Sequence, residues 1–162
     1  MDKLLNEGRR RAGIEIFARG KGVRPIMKHL KDGKVLAIVM DQDTRKGQGI
    51  FVPFMGKLAH TQRGPGFLAC RMQAPILPVF MVRDENGLTH TCHVEEPIMP
   101  PPGPPTEEGI ERLTRAYTEA LERYVRKYPS QWMWMHDRWR QRPEDEAPGP
   151  LFAAAAGNEA RG

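Results

Sequence analysis

The chain is poor in the marks that usually disclose a function. Of its 162 residues two are cysteines, Cys70 and Cys92, and neither stands in a Cys-x-x-Cys or Cys/His spacing. A zinc site of the usual ligand pattern and a disulfide framework are thereby excluded, and both thiols are read as reduced and packed. No run approaches the ~18 to 20 apolar residues of a membrane span, and residues 1–20 are charged and lack a signal-peptide core. The chain is expected to be cytoplasmic or peripheral to a membrane. No Ser-His-Asp order, P-loop or Rossmann glycine signature is present, and there is no internal repeat. One His-x4-acid spacing occurs, His90 with Glu95, but a five-residue offset on a strand sends the two side chains to opposite faces. It is set aside as a chance match.

What is there fits one domain, with a disordered tail at 143–162 rich in Pro, Gly, Ala and acid. A 40% hydrophobic composition over this length supports a real core, burying roughly 70% of the unfolded surface. The net charge of +5 suits an anionic partner, whether nucleic acid, phosphate-bearing lipid, anionic membrane or acidic carrier protein.

Periodicity supplies the elements. Residues 1–12 read as the end of a helix carrying "GRRRAG", and "IEIFAR" alternates like a strand around Ile14 and Phe17. A short amphipathic helix is predicted over 23–31, stopped by Asp32-Gly33. "KVLAIVM", residues 34–40, is a near-continuous aliphatic run, the pattern of a strand buried on both faces. A helix follows Pro65, with Thr61 placed to cap it or to face the preceding loop. "APILPVFMV" and "LTHTCHVEEP" flank the turn "DENG" as a hairpin. The proline-rich stretch 97–105 reads as an extended connector. A long helix from Thr106 to about Lys127 then carries Ile110, Leu113, Tyr117, Leu121, Tyr124 and Tyr128 on one stripe, with acid in its first turn and base in its last. The expected fold class is α/β: a mostly parallel central sheet with helices on both faces and an antiparallel edge strand.

Ligands of open α/β sheets collect at the carboxyl ends of strands, and Asp41 stands where the run 34–40 ends. The stretch "MDQDTRKGQGIFVPFMG" is therefore a candidate site, although Asp and Gly there also serve ordinary turn chemistry. The Arg9–Arg11 cluster before Gly13 is suited to gripping a phosphate, and equally to being a solvated helix face. Trp132, Trp134 and Trp139 read as an interfacial anchor or a core-closing clasp; alternation in an extended segment would put Trp132 and Trp134 on one side, which favours packing.

Taken together, "GRRRAG", the strand ending in "DQD", "FVPFMGKLAHTQRGPGFLA", "APILPVF" and "YPSQWMWMHDRW" followed by "RP" resemble, in order, the carboxyl-terminal half to two-thirds of the bacterial lipid A biosynthesis (late lauroyl/myristoyl) acyltransferases. These are relatives of the glycerolipid acyltransferases, and the resemblance covers residues 1–143. It implies acyl transfer from acyl-carrier protein or acyl-CoA to a hydroxyl of a lipid A precursor or other anionic lipid, at the membrane surface on the cytoplasmic face of the bacterial inner membrane. It implies no cofactor and no nucleic-acid partner. The family's His-x4-Asp/Glu motif, whose histidine is a general base, has no counterpart here and is expected upstream of Met1. The acyltransferase domain over 1–142 is thus expected to be truncated and inactive alone. By position the resemblance assigns substrate-binding roles to Arg9, with Arg11 as the alternative register, to Asp41 and Asp43, and to Phe54, Gly56, Thr61 and Gly64. Two other readings stand beside it: a lysophospholipid or glycerolipid acyltransferase, and a non-catalytic lipid-binding remnant.

Overall fold

In a computed structural model of the chain, the described residues are 2–17 and 23–143, with side chains from Asn6 onward. Apart from Pro143, the tail expected at 143–162 lies outside them. The chain divides into two compact units, Met1–Ala37 and Ile38–Gly162.

In the first unit α1 (Asp2–Arg11) ends in its three arginines. Gly13, at φ 76°, reverses the chain so that the Gly13 and Ile14 N–H groups return to the carbonyls of Arg10 and Arg9. The second helix, α2 (Arg24–Lys31), starts with a proline in its first turn and stops at Asp32, as its pattern predicts. The strand expected around Ile14 and Phe17 is not formed; Phe17 instead meets the His29 ring edge-on at 5.1 Å.

Among the described residues the second unit holds two antiparallel hairpins and two α-helices. Strands β1 (Gly49–Phe54) and β2 (Lys57–Gln62) pair from Gly49 with Gln62 to Phe54 with Lys57. Met55 and Gly56 both take positive φ, 52° and 79°, the two-residue turn whose twist matches that of its strands. Next comes α3 (Gly64–Met72), then β3 (Val79–Arg83) paired with β4 (His90–Val94). The proline-rich stretch is more than a connector, because Ile98 bridges back to Ile76. Helix α4 (Glu107–Lys127) is capped by Thr106, whose hydroxyl accepts from the Gly109 N–H at 3.1 Å. A strap, residues 132–142, closes the unit.

The stripe read from the sequence is the face α4 buries. Its amino-terminal half packs Ile110 and Leu113 on Ala69 and Cys70 of α3. Its carboxyl-terminal half packs Val125 and Leu121 on Phe54 and Ala59 of the first hairpin, with Trp132 and Trp139 of the strap. The turn of that hairpin is fastened to the helix by the Met55 N–H, which donates to Glu122 Oε2 at 2.7 Å. Burial pushes the Glu122 carboxyl upward, but the Met55 and Arg126 donors outweigh it and hold it below its ordinary range.

Several expectations are corrected. The architecture is mixed α/β, but both sheets among the described residues are two-stranded and antiparallel. Residues 34–40 form no strand, and Val35 and Val39 are 88% and 80% exposed. An apolar run becomes a strand only when another chain segment meets its backbone donors and acceptors, and no described segment pairs with this one. Thr61 lies in β2, and α3 is preceded by Arg63. Cys70 is buried, whereas Cys92 is exposed on β4. Nor is the tryptophan segment extended: Trp134 N–H returns to the Trp132 carbonyl and His136 N–H to that of Met133. Trp132 therefore turns in against Phe54, at 5.9 Å between ring centroids, and Trp134 stays 53% exposed.

Candidate functional site

The second unit joins two environments of opposite character at Asp41. One is a cleft of about 220 Å³ lined by Val79, Met81, Leu121, Tyr124, Tyr128 and Trp132, with Asp41 on its wall. Its floor is braced by Phe80, stacked on Tyr124 at 3.9 Å. The other is a buried polar corner beneath the turn 41–44. There the Asp43 side chain is fully enclosed, with Oδ1 3.8 Å from His60 Nδ1 and Oδ2 3.7 Å from Arg140 Nε. Neither Asp43 oxygen, nor Asp41 Oδ1, has a hydrogen-bond partner among the described residues.

Beside Arg140, Arg138 supplies a buried positive charge to this corner. It is 1% exposed, and its guanidinium donates to the His60 carbonyl at 2.9 Å and to Thr61 Oγ1 at 2.6 Å. The group also lies over the Phe54 ring, 5.3 Å from its centroid. Burial lowers the pKa of Arg138, and the carboxylates of Asp43 and Asp41 oppose that shift, so an arginine here stays charged. A buried charge is costly unless it is bonded or paired: Arg138 is bonded to His60 and Thr61, and Asp43 faces Arg140 and His60.

The glycines of the stretch have distinct tasks. Gly56 makes the hairpin turn. At Gly49 a Cβ would meet Thr44 Cγ2 at 2.5 Å and the Thr61 carbonyl oxygen at 2.6 Å, so only glycine lets the 41–44 turn lie this close to the hairpin.

Of the residues singled out from the sequence, Asp41, Asp43 and Thr61 come together around this corner. Phe54 sits behind them at 0% exposure, in the core. Gly64 begins α3. Arg9 and Arg11 belong to the first unit, where Arg9 donates to Asn6 at 3.1 Å and Arg11 pairs with Glu7 at 3.2 Å on the exposed face of α1. Glu95, set aside with His90, is held by Arg123 at 2.7 Å and Tyr124 at 3.0 Å, and these bonds lower its pKa. Sequence reading missed His60, His136, Arg138 and Arg140. The signal of the last three was present in "HDRWR", beside tryptophans that read as packing residues, whereas His60 lies in "KLAHTQ" with no motif around it. No cluster of three or more His, Cys, Asp or Glu suited to a metal occurs among the described residues.

An apolar cleft with a carboxylate on its wall has the chemistry to suit an amphipathic ligand, one that offers a hydrocarbon portion and a polar group together. The chain belongs to the bacterial lipid A biosynthesis acyltransferase family, whose model matches residues 1–141. It is similar to a lipid A biosynthesis acyltransferase of Haemophilus influenzae, 29% identical over 90% of this chain and 44% of that protein. It is also similar to two Escherichia coli enzymes. A lipid A biosynthesis lauroyltransferase is 28% identical over 89% of this chain and 46% of its own length. A lipid A biosynthesis myristoyltransferase is 28% identical over 83% and 40%. The chain thus spans less than half the length of these curated relatives. No helix among the described residues is long and apolar enough to cross a membrane.

Proposed function

We propose that this chain contributes the acyl-handling side of an acyltransferase that moves a fatty acyl group from acyl-carrier protein or acyl-CoA to a hydroxyl of a lipid A precursor. The observation that carries the reading is the junction at Asp41, where a carboxylate stands on the wall of an apolar, aromatic cleft in a member of this family. The cleft takes hydrocarbon, and Asp41 orients the acceptor hydroxyl at its edge through a charge-assisted hydrogen bond. Asp43 shapes the turn, Thr61 anchors the corner, and Arg9 or Arg11 meets phosphate. The general base is not assigned to any residue of this chain. In this reading the reaction runs at the cytoplasmic face of the inner membrane, and the net charge of +5 supports it by suiting an anionic surface.

The test is transfer of a labelled lauroyl or myristoyl group to a lipid A precursor by protein expressed from the natural gene. Asp41→Ala is expected to lower the rate by roughly 10- to 100-fold with an unchanged circular dichroism spectrum, since about 1.4 kcal/mol is one decade. Full activity in Asp41→Ala removes this aspartate from the site. A second reading, lipid binding without catalysis, is favoured by the lack of a credible base among these residues; it prevails if the wild-type protein binds acylated lipid and transfers nothing from either donor.

A further inference from the structure

The turn that carries Asp41 into the cleft belongs to no helix or strand, so something else must fix it. Three contacts do so. The Asp43 N–H donates to His136 Nε2 at 2.9 Å. The Thr44 carbonyl lies 3.2 Å from His60 Nδ1. The Thr44 side chain occupies the space left by the missing Cβ of Gly49. The first of these is chemically restrictive. A backbone N–H can only donate, so Nε2 of His136 must accept, and the imidazole must be neutral with its proton on Nδ1. A proton on Nε2 would set two donors against each other and release the turn. The Thr44 carbonyl likewise requires the proton of His60 on Nδ1, where it also faces Asp43 Oδ1 at 3.8 Å.

We infer that His136 is a positioning residue for Asp41: its neutral imidazole, reaching from the strap to the turn 93 residues earlier, holds Asp43 by the backbone and so sets where the Asp41 carboxylate stands on the cleft wall. Arg138 of the same strap fixes the other side of the corner through His60 and Thr61. The role assigned to Asp41 rests on the proposed function; the tautomer of His136 and the anchoring of the turn do not.

Two measurements therefore test the inference separately. Long-range nitrogen–proton spectra of histidine-labelled protein near neutral pH should show His136 with Nε2 bare and Nδ1 protonated, and the Asp43 amide should exchange slowly with solvent. In His136→Leu that amide should exchange at least tenfold faster, whereas His136→Gln, whose side-chain oxygen can accept the same bond, should retain most of the protection. A protonated Nε2, or an Asp43 amide indifferent to both substitutions, overturns the inference. In protein expressed from the natural gene, His136→Leu should lower kcat about tenfold with little change in KM, and His136→Gln should restore it to within about threefold. Introduced into Asp41→Ala, His136→Leu should cost less than about twofold more, because a residue acting through Asp41 has nothing left to position. Additive losses overturn the coupling. If Asp41→Ala is fully active while the spectra and exchange behave as described, the proposed role of Asp41 fails and the anchoring stands.

Discussion

The two hairpins are built from similar residues and have opposite fates. In β1–β2, Val52, Phe54 and Ala59 are fully buried and His60 and Thr61 nearly so. In β3–β4 only Val82 is buried, while Val79, Met81 and Val94 are 49%, 63% and 60% exposed. Both pair in regular antiparallel register, so strand formation does not separate them. What separates them is the covering. The first hairpin lies beneath α4 and the strap, fastened by Met55 to Glu122, by the Tyr117 hydroxyl to the Gln62 carbonyl and by Arg138 to Thr61. The second is tied to the 3₁₀ turn after α4 by reciprocal bonds between the Arg83 backbone and the Gln131 side chain, at 2.8 and 3.0 Å. Its remaining bonds are largely local, as where Asp84 accepts from Thr89 and Thr91 at 2.6 and 2.7 Å, which lowers the Asp84 pKa. One hairpin is framework, and the other presents cleft wall.

This contrast is sharpest in stability. Phe54→Ala should destabilise the protein by about 3 to 5 kcal/mol, read by urea or thermal unfolding, because Phe54 joins Trp132 and Trp139 of the strap to the hairpin. A cost below about 1 kcal/mol would break the distinction between framework and wall.

An intermediate effect concerns alkali. Burial pushes the Tyr117 phenol up to about 12, against weaker opposing effects of Thr114 and Arg138. A phenol harder to ionise folded than unfolded adds stability that is complete below about pH 10 and disappears as pH rises through about 12, on the order of 2 to 3 kcal/mol. Unfolding free energies measured from pH 8 to 12 should fall along this limb. Tyr117→Phe should flatten it, at a cost near neutral pH of about 1 kcal/mol for the lost bond to Gln62.

The smallest effect falls on the second hairpin. Met81→Ser should change stability by no more than about 0.5 kcal/mol, as exposed substitutions do, yet weaken binding of a lauroyl-bearing probe to the cleft it lines. Destabilisation comparable to that of Phe54→Ala would show the two hairpins to be equally structural.

The element pattern was legible because helix and turn signals are local. Thr106, the stripe from Ile110 to Tyr128 and the charge gradient of α4 could be read directly, as could the turn between β3 and β4. The hairpin β1–β2 was harder to see, because the Met55-Gly56 turn falls inside a run of apolar residues. Asp41, Asp43 and Thr61 were reachable from the position of "DQD" and from the family resemblance. His136 and Arg138 were not, because no spacing rule links a strap near residue 138 to a turn near residue 43.

By itself the sequence determined the helices, the charge gradient of α4 and the family, and it pointed to the aspartates of the 41–44 turn, since each depends on neighbours within a few residues or on motifs kept in order. Only the tertiary structure decided which apolar runs are covered, that residues 34–40 pair with no described segment, and that Asp43 is enclosed with Arg138 bound to the strand beside it. Periodicity records which face of a segment is apolar, but the burial of a charge and the pairing of a strand depend on what arrives from elsewhere in the chain to meet them.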